Sequence, residues 1–200
     1  MKNFKWGTES FNDKPIYVVL FVSRNKDNAE IEGFVERRIS FITQKAPHEL
    51  ETEFTNFVNN GLIGEFSRMY YSVNPRDPEK IYKQLLHFLI DEPDFNLCCI
   101  NSKLAGIAAS KECNAGKRWM FDFDICDNNK VWEFIADIEA IDMGVVIDMH
   151  PTPHGYAVIT NRGFDTRKLF EKWTKDVTLK RDDLLCVDWR TKVAPRNLIF

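Results

Sequence analysis

Residues 16–22, Ile-Tyr-Val-Val-Leu-Phe-Val, form an unbroken β-branched and aromatic run. That is the pattern of a buried strand. Behind Asn28, a good N-cap, the apolar residues Ile31, Phe34, Val35, Ile39 and Ile42 recur on one side of a helical wheel, and the spacing predicts a helix over 29–44, closed by Pro47. A second short helix is expected over 50–59, stopped by Asn60-Gly61. The Tyr-rich alternation at 68–73 predicts a strand, broken by Asn74-Pro75-Arg76-Asp77-Pro78. Asp77 suits an N-cap and Pro78 the first helical position, so a helix follows to about Ile90, with Ile81, Leu85, Leu86 and Leu89 facing inward. Residues 97–110 read as helical, and Asn114-Ala115-Gly116-Lys117 as a turn.

The second half is more regular. Residues 119–125 alternate as a strand, and Asn128 or Asn129 caps a helix carrying Val131, Phe134, Ile135 and Ile138. Strands are expected at 144–149 and 156–160, joined by the turn Pro151-Thr152-Pro153-His154-Gly155. Asp165 or Thr166 caps a helix with Leu169, Phe170 and Trp173, and 177–180 and 184–189 are extended. The order is β-α-β-β-α-β with one possible extra strand. That is the ferredoxin-like or RNA-recognition topology, an antiparallel sheet with both helices on one face. The expected fold class is therefore α+β: a βαββαβ unit at 116–200 packed against an N-terminal α/β subdomain at 1–115.

The chain has 200 residues, 44% of them apolar and 16 of them Phe, enough for a sizeable core. Its net charge of −3 excludes a global basic field, so any nucleic-acid contact must come from a local patch or through bound metal ions. The five cysteines form no CxxC pair, which argues against structural zinc and for free, mostly buried thiols in a reducing compartment. The opening Met-Lys-Asn-Phe-Lys-Trp-Gly does not read as a signal peptide, and no apolar run is long enough to span a membrane. A cytoplasmic protein is expected.

The sharpest chemical pattern is Phe121-Asp122-Phe123-Asp124-Ile125. Alternation sends the apolar residues to the helices and stands the two carboxylates side by side on the other face, about 7 Å apart. Such a pair repels unless a cation lies between, and Mg²⁺ or Mn²⁺ suits carboxylate oxygens completed by phosphates. An amphipathic strand with a solvated acidic face gives the same pattern. Asp188, on a strand assigned to the same unit, is a third candidate; a strand-end Asp meeting water is the plain alternative. Asp127 and Asp148 are weaker, with Asp148 alternating with Val146 and His150 on one face. His150 and His154 flank the hairpin, where a histidine could meet a phosphate or lie on an ordinary surface. Arg76 could fork onto phosphate oxygens, or pair with Asp77 or Glu79.

Val73-Asn74-Pro75-Arg76 after a strand, Asp122-Phe123-Asp124 within one, a Gly155-Tyr156 hairpin and then Val187-Asp188 form an ordered set. It resembles the catalytic core of archaeo-eukaryotic-type primases and primase-polymerases, particularly small phage and plasmid members, over about residues 70–189. The resemblance implies template-dependent nucleotidyl transfer by a two-metal carboxylate site, with Asp122, Asp124 and Asp188 holding Mg²⁺ or Mn²⁺. It implies Asn74 and Arg76 near the incoming triphosphate or template, and nucleoside triphosphates and single-stranded nucleic acid as partners. Arg162, Arg167 and Lys168 either meet nucleic acid or are ordinary surface charge. One departure stands out: where the family carries a histidine, the direct register gives Ala157. Either His154 substitutes from the turn, or the nucleotide-binding histidine is gone and the chain acts as a nucleic-acid, nucleotide or protein-binding module. Metal-dependent hydrolysis of nucleic acid would use the same paired acids.

Overall fold

The structure is a computed structural model that describes residues 14–194; the N-terminal stretch read above for a signal sequence lies outside them. The apolar run becomes β1 (Tyr17–Ser23), followed by β2 (Arg37–Thr43), α1 (Glu51–Asn59), β3 (Phe66–Ser72), α2 (Pro78–Asp91) and α3 (Ile100–Ala108). Then come β4 (Trp119–Phe123), α4 (Asn128–Ile141), β5 (Val146–Thr152), β6 (Gly155–Thr160), α5 (Arg167–Trp173), β7 (Val177–Lys180) and β8 (Leu184–Thr191). The strands form two antiparallel sheets, ordered β2-β1-β3-β8 and β5-β6-β4-β7. With the five helices this is an α+β fold. Among the described residues no helix is long and apolar enough to cross a membrane.

The first sheet is covered on both faces, which is why β1 lacks alternation. Val19 and Phe21 pack with Phe54, Phe57 and Val58 of α1 and Met69 and Tyr71 of β3. Val18 packs the other way, against Ile81 of α2, Ala108 of α3 and Cys113. The helix expected over 29–44 does not form. Gly33 adopts a φ of 73°, which ends helical geometry, and residues 37–43 pair along β1 from Tyr17↔Thr43 to Ser23↔Arg37. Asn28 is not a helix cap. It is buried, its Nδ2 donating to Ser23 Oγ and Phe66 O and its Oδ1 accepting from Phe66 N, so it ties the turn after β1 to β3.

In the second sheet Phe121 and Phe123 turn fully inward against Val131, Phe134 and Ile138 of α4 and Leu169 and Trp173 of α5. Each buried Phe contributes about 1.5–3 kcal/mol. The caps differ by a residue or so from expectation. Asp127, not Asn128 or Asn129, caps α4, accepting from Asn129 N and Lys130 N, while Asp77 caps α2 as its sequence context suggests.

β8 requires a correction. Chain order puts residues 184–189 with the second unit, but β7 takes that sheet's outer place beside β4, and β8 pairs with β3 instead. β8 becomes the edge of the first sheet. Its Leu185, together with Val73, packs onto Met120, Ala157 and Ile159, on the face of the second sheet that carries no helix. The two sheets meet along this seam, and a cavity opens on each side of it.

Candidate functional site

Asp122 follows Phe121 in β4 and so points away from the helices, into a cleft of about 270 Å³ between the sheets. Asp124, just past the end of β4, lines the same cleft, as do Thr152, Pro153 and His154 of the β5–β6 hairpin. Gly155 makes this proximity possible. A Cβ there would lie 2.0 Å from Phe123 O, so only glycine lets the hairpin pass against the end of β4. Asp122, Asp124 and His154 are thus brought together.

The opposite wall comes from the first sheet and the turn after β1. Arg24, Lys26, Arg68, Tyr70, Leu184 and Cys186 line it, and Lys180 closes the side at the end of β7. Four cationic side chains, Arg24, Lys26, Arg68 and Lys180, therefore face two carboxylates in a protein whose net charge is −3. Arg68 is 4% exposed and forks onto Asp27, with Nε–Oδ2 at 2.9 Å and Nη2–Oδ1 at 2.7 Å. Burial works against ionising Asp27, but hydrogen bonds from Arg24 and Arg68 outweigh it and hold the carboxyl below its usual range. Lys180 Nζ pairs with Asp122 Oδ2 at 2.9 Å. Burial disfavours that ammonium, yet Asp122 keeps it above its ordinary value. Burial pushes the Cys186 thiol up to about 12, so it stays protonated and unreactive at neutral pH.

Other sequence candidates lie elsewhere. Asp188 does not join Asp122 and Asp124. β8 carries an extra residue at Val187: Tyr70 pairs with Cys186 but Met69 with Asp188. In an unbroken register Asp188 would share a face with Leu184 and Cys186 in the cleft; after the bulge it is turned to the other face. There its carboxylate is held by Arg190, Nη2–Oδ2 2.7 Å, and it lines a separate cavity of about 780 Å³ together with Asp148, His150 and Met69. Among the described residues no three His, Cys, Asp or Glu side chains converge to ligate a metal. The cleft holds two carboxylates, Asp122 and Asp124, the first already paired with Lys180, and does not form a three-carboxylate cage.

Asn74 and Arg76 are structural. Asn74 Oδ1 accepts from Arg118 N at 2.8 Å and its Nδ2 donates to Arg118 O at 2.9 Å. Arg76, 2% exposed, donates from Nη1 to Asp182 Oδ2 at 2.7 Å. Together they clamp the crossover into β4 to the turn after β7, and neither lines the cleft. Arg162 follows β6 at the end away from the hairpin, where it is exposed and pairs with Asp142 at 2.6 Å. No sequence motif joins the cations that do line the cleft, Arg24, Lys26, Arg68 and Lys180. Arg68 carried the one available signal, a charged residue inside an aromatic, β-forming run. Comparison with family models, curated proteins and solved structures returns no match.

Proposed function

We propose that this protein binds a nucleoside triphosphate with Mg²⁺ or Mn²⁺ in the inter-sheet cleft and transfers nucleotidyl groups there in the manner of a primase-polymerase, on a single-stranded template. The observation that carries the reading is the meeting of four cationic side chains with Asp122, Asp124 and His154 in one cleft of an otherwise acidic protein. Lys26 and Lys180 supply point charges for phosphate oxygens, Arg24 adds positive charge while its Nε and Nη2 are held by Asp27, and His154 offers a ring nitrogen. A divalent ion on Asp122 and Asp124 would neutralise charge developing on the phosphates. Lys180 is then shared: phosphates that draw it away leave Asp122 free to face a cation. The β-α-β-β-α-β order and the strand order β5-β6-β4-β7 support a ferredoxin-like, RNA-recognition-type reading of the second unit. A host-cell cytoplasmic setting in phage or plasmid replication follows from the same reading.

A second reading, nucleotide binding without turnover, is favoured by one observation: Asp188 faces another cavity and is neutralised by Arg190. The test is Mn²⁺-dependent binding and incorporation of labelled nucleoside triphosphates on a primed single-stranded template, for the native chain and for Asp122→Asn and Asp124→Asn. Incorporation lost in both variants supports polymerisation. Metal-dependent binding without incorporation selects the binding module. Absence of nucleotide binding, with or without metal, overturns both.

A further inference from the structure

His154 and Arg68 lie on opposite walls of the cleft, on the hairpin of one sheet and on β3 of the other, yet Arg68 Nη2 approaches His154 Nε2 at 3.0 Å. A guanidinium has donors only and does not lose its charge. The imidazole nitrogen facing it must therefore accept, which leaves Nε2 bare and the proton on Nδ1. No other group among the described residues is bonded to this ring, so Nδ1–H remains available in the cleft that His154 lines. Arg68 is itself immobilised. Its side chain is 5% exposed, forks onto Asp27, and lies over the Phe66 ring at 5.2 Å. Asp27 in turn sits on a short turn that Asn28 ties to the backbone of Phe66.

We infer that Arg68, held by Asp27, is a positioning residue that fixes His154 as the neutral Nδ1–H tautomer and so presents a single imidazole donor to an anionic ligand of the cleft. The tautomer follows from the contact alone; its use on phosphate rests on the nucleotide reading above. On this account Arg68 is occupied by Asp27 and His154 and acts through the histidine.

Imidazole ¹⁵N–¹H correlation spectra of the full chain at neutral pH test the first part directly. Assignment among His48, His87, His150 and His154 comes from single His→Gln variants. The native spectrum should show His154 protonated at Nδ1 and bare at Nε2, and Arg68→Met, which removes the donor, should return it to a tautomer mixture. A native His154 protonated at Nε2, or at both nitrogens, overturns the inference, and that result needs no variant to fold. Affinity for a nucleoside triphosphate with Mn²⁺ tests the second part. An Asn carboxamide can place its nitrogen near the Nδ1 position and a Gln near Nε2, so His154→Gln should bind about tenfold more weakly than His154→Asn, the scale of one hydrogen bond to a charged group. The reverse ranking refutes the donor role. If the native tautomer is as stated but nucleotide binds to no form, the nucleotide reading fails while the positioning by Arg68 stands.

Discussion

Asp182→Asn separates a structural Arg76 from a phosphate-binding one. Arg76 and Asp182 have side chains 1% and 6% exposed and meet at 2.7 Å. Among the described residues Arg76 Nε has no hydrogen-bond partner, and the guanidinium depends on this carboxylate for charge compensation. Breaking a buried pair by removing one charge costs about 3–5 kcal/mol, because the other charge is left uncompensated. An Asn still accepts one hydrogen bond, which returns about 1 kcal/mol. The net expectation is a loss of about 2–4 kcal/mol, a large share of a typical stability of about 5–15 kcal/mol. The double variant Arg76→Met with Asp182→Leu removes both charges and should recover most of the loss. Urea unfolding followed by tryptophan fluorescence and by circular dichroism gives the three stabilities, provided the two probes coincide. Nucleotide affinity of the folded fraction should be unaffected, since neither residue lines the cleft. A loss below about 1 kcal/mol, or a double variant no more stable than the single one, would refute the clamp. A collapse of nucleotide affinity in the folded single variant would return Arg76 to the site.

Two further outcomes are expected. Iodoacetamide on the native protein should label the exposed Cys98, Cys99 and Cys126 and spare the buried Cys113 and Cys186, whereas all five react in urea; native labelling of Cys186 as fast as Cys126, read by mass spectrometry, would contradict a thiol raised to about 12 by burial. Asp27 has a folded carboxyl held below its unfolded value, so its stabilisation is complete above the unfolded pKa of about 3.9 and is lost as pH falls through the folded value. Asp27→Asn should therefore cost about 1–3 kcal/mol at neutral pH, and the gap from the native chain should close in acid; a gap independent of pH would exclude linkage through this group.

Much of the fold could be read from periodicity, and the exceptions have physical causes. Phe121 and Phe123 turn to the helices because a strand alternates, and Val131, Phe134 and Ile138 do so because a helix repeats every 3.6 residues. Residues 29–44 mislead because Ile31, Phe34, Val35, Ile39 and Ile42 satisfy a helical wheel by chance. The contrary signals were Gly33, which costs about 1 kcal/mol inside a helix, and the β-forming run Ile39 to Thr43. What decides is remote: β1 offers an edge to fill, and no local pattern reports that. The site was half legible for the same reason. Asp122, Asp124 and His154 lie near their own turns, whereas Arg24, Arg68 and Lys180 reach the cleft only through long-range pairing.

Two single-residue insertions set where two carboxylates lie. In β5 the register shifts at Ile147, pairing Val146 with Thr160 and Asp148 with Ile159. Without that extra residue Asp148 would oppose Val158, which is fully buried beneath the helices, and a carboxylate there would be stranded in an apolar core. The bulge turns it outward, so Asp148 does not alternate with Val146, and it lines the larger cavity with His150. In β8 the extra Val187 does the same for Asp188, which in an unbroken register would stand opposite Arg68 at the wall of the cleft. A third carboxylate there would compete with His154 for the Arg68 guanidinium. β5 and β8 pack against each other, so both displaced acids gather on one side of the seam with Arg118 and Arg190, while Arg24, Lys26, Arg68 and Lys180 line the other. Alternation alone would bury Asp148 in the apolar core and stand Asp188 beside Arg68; alternation interrupted twice turns both carboxylates to the cavity on the far side of the seam from the cleft.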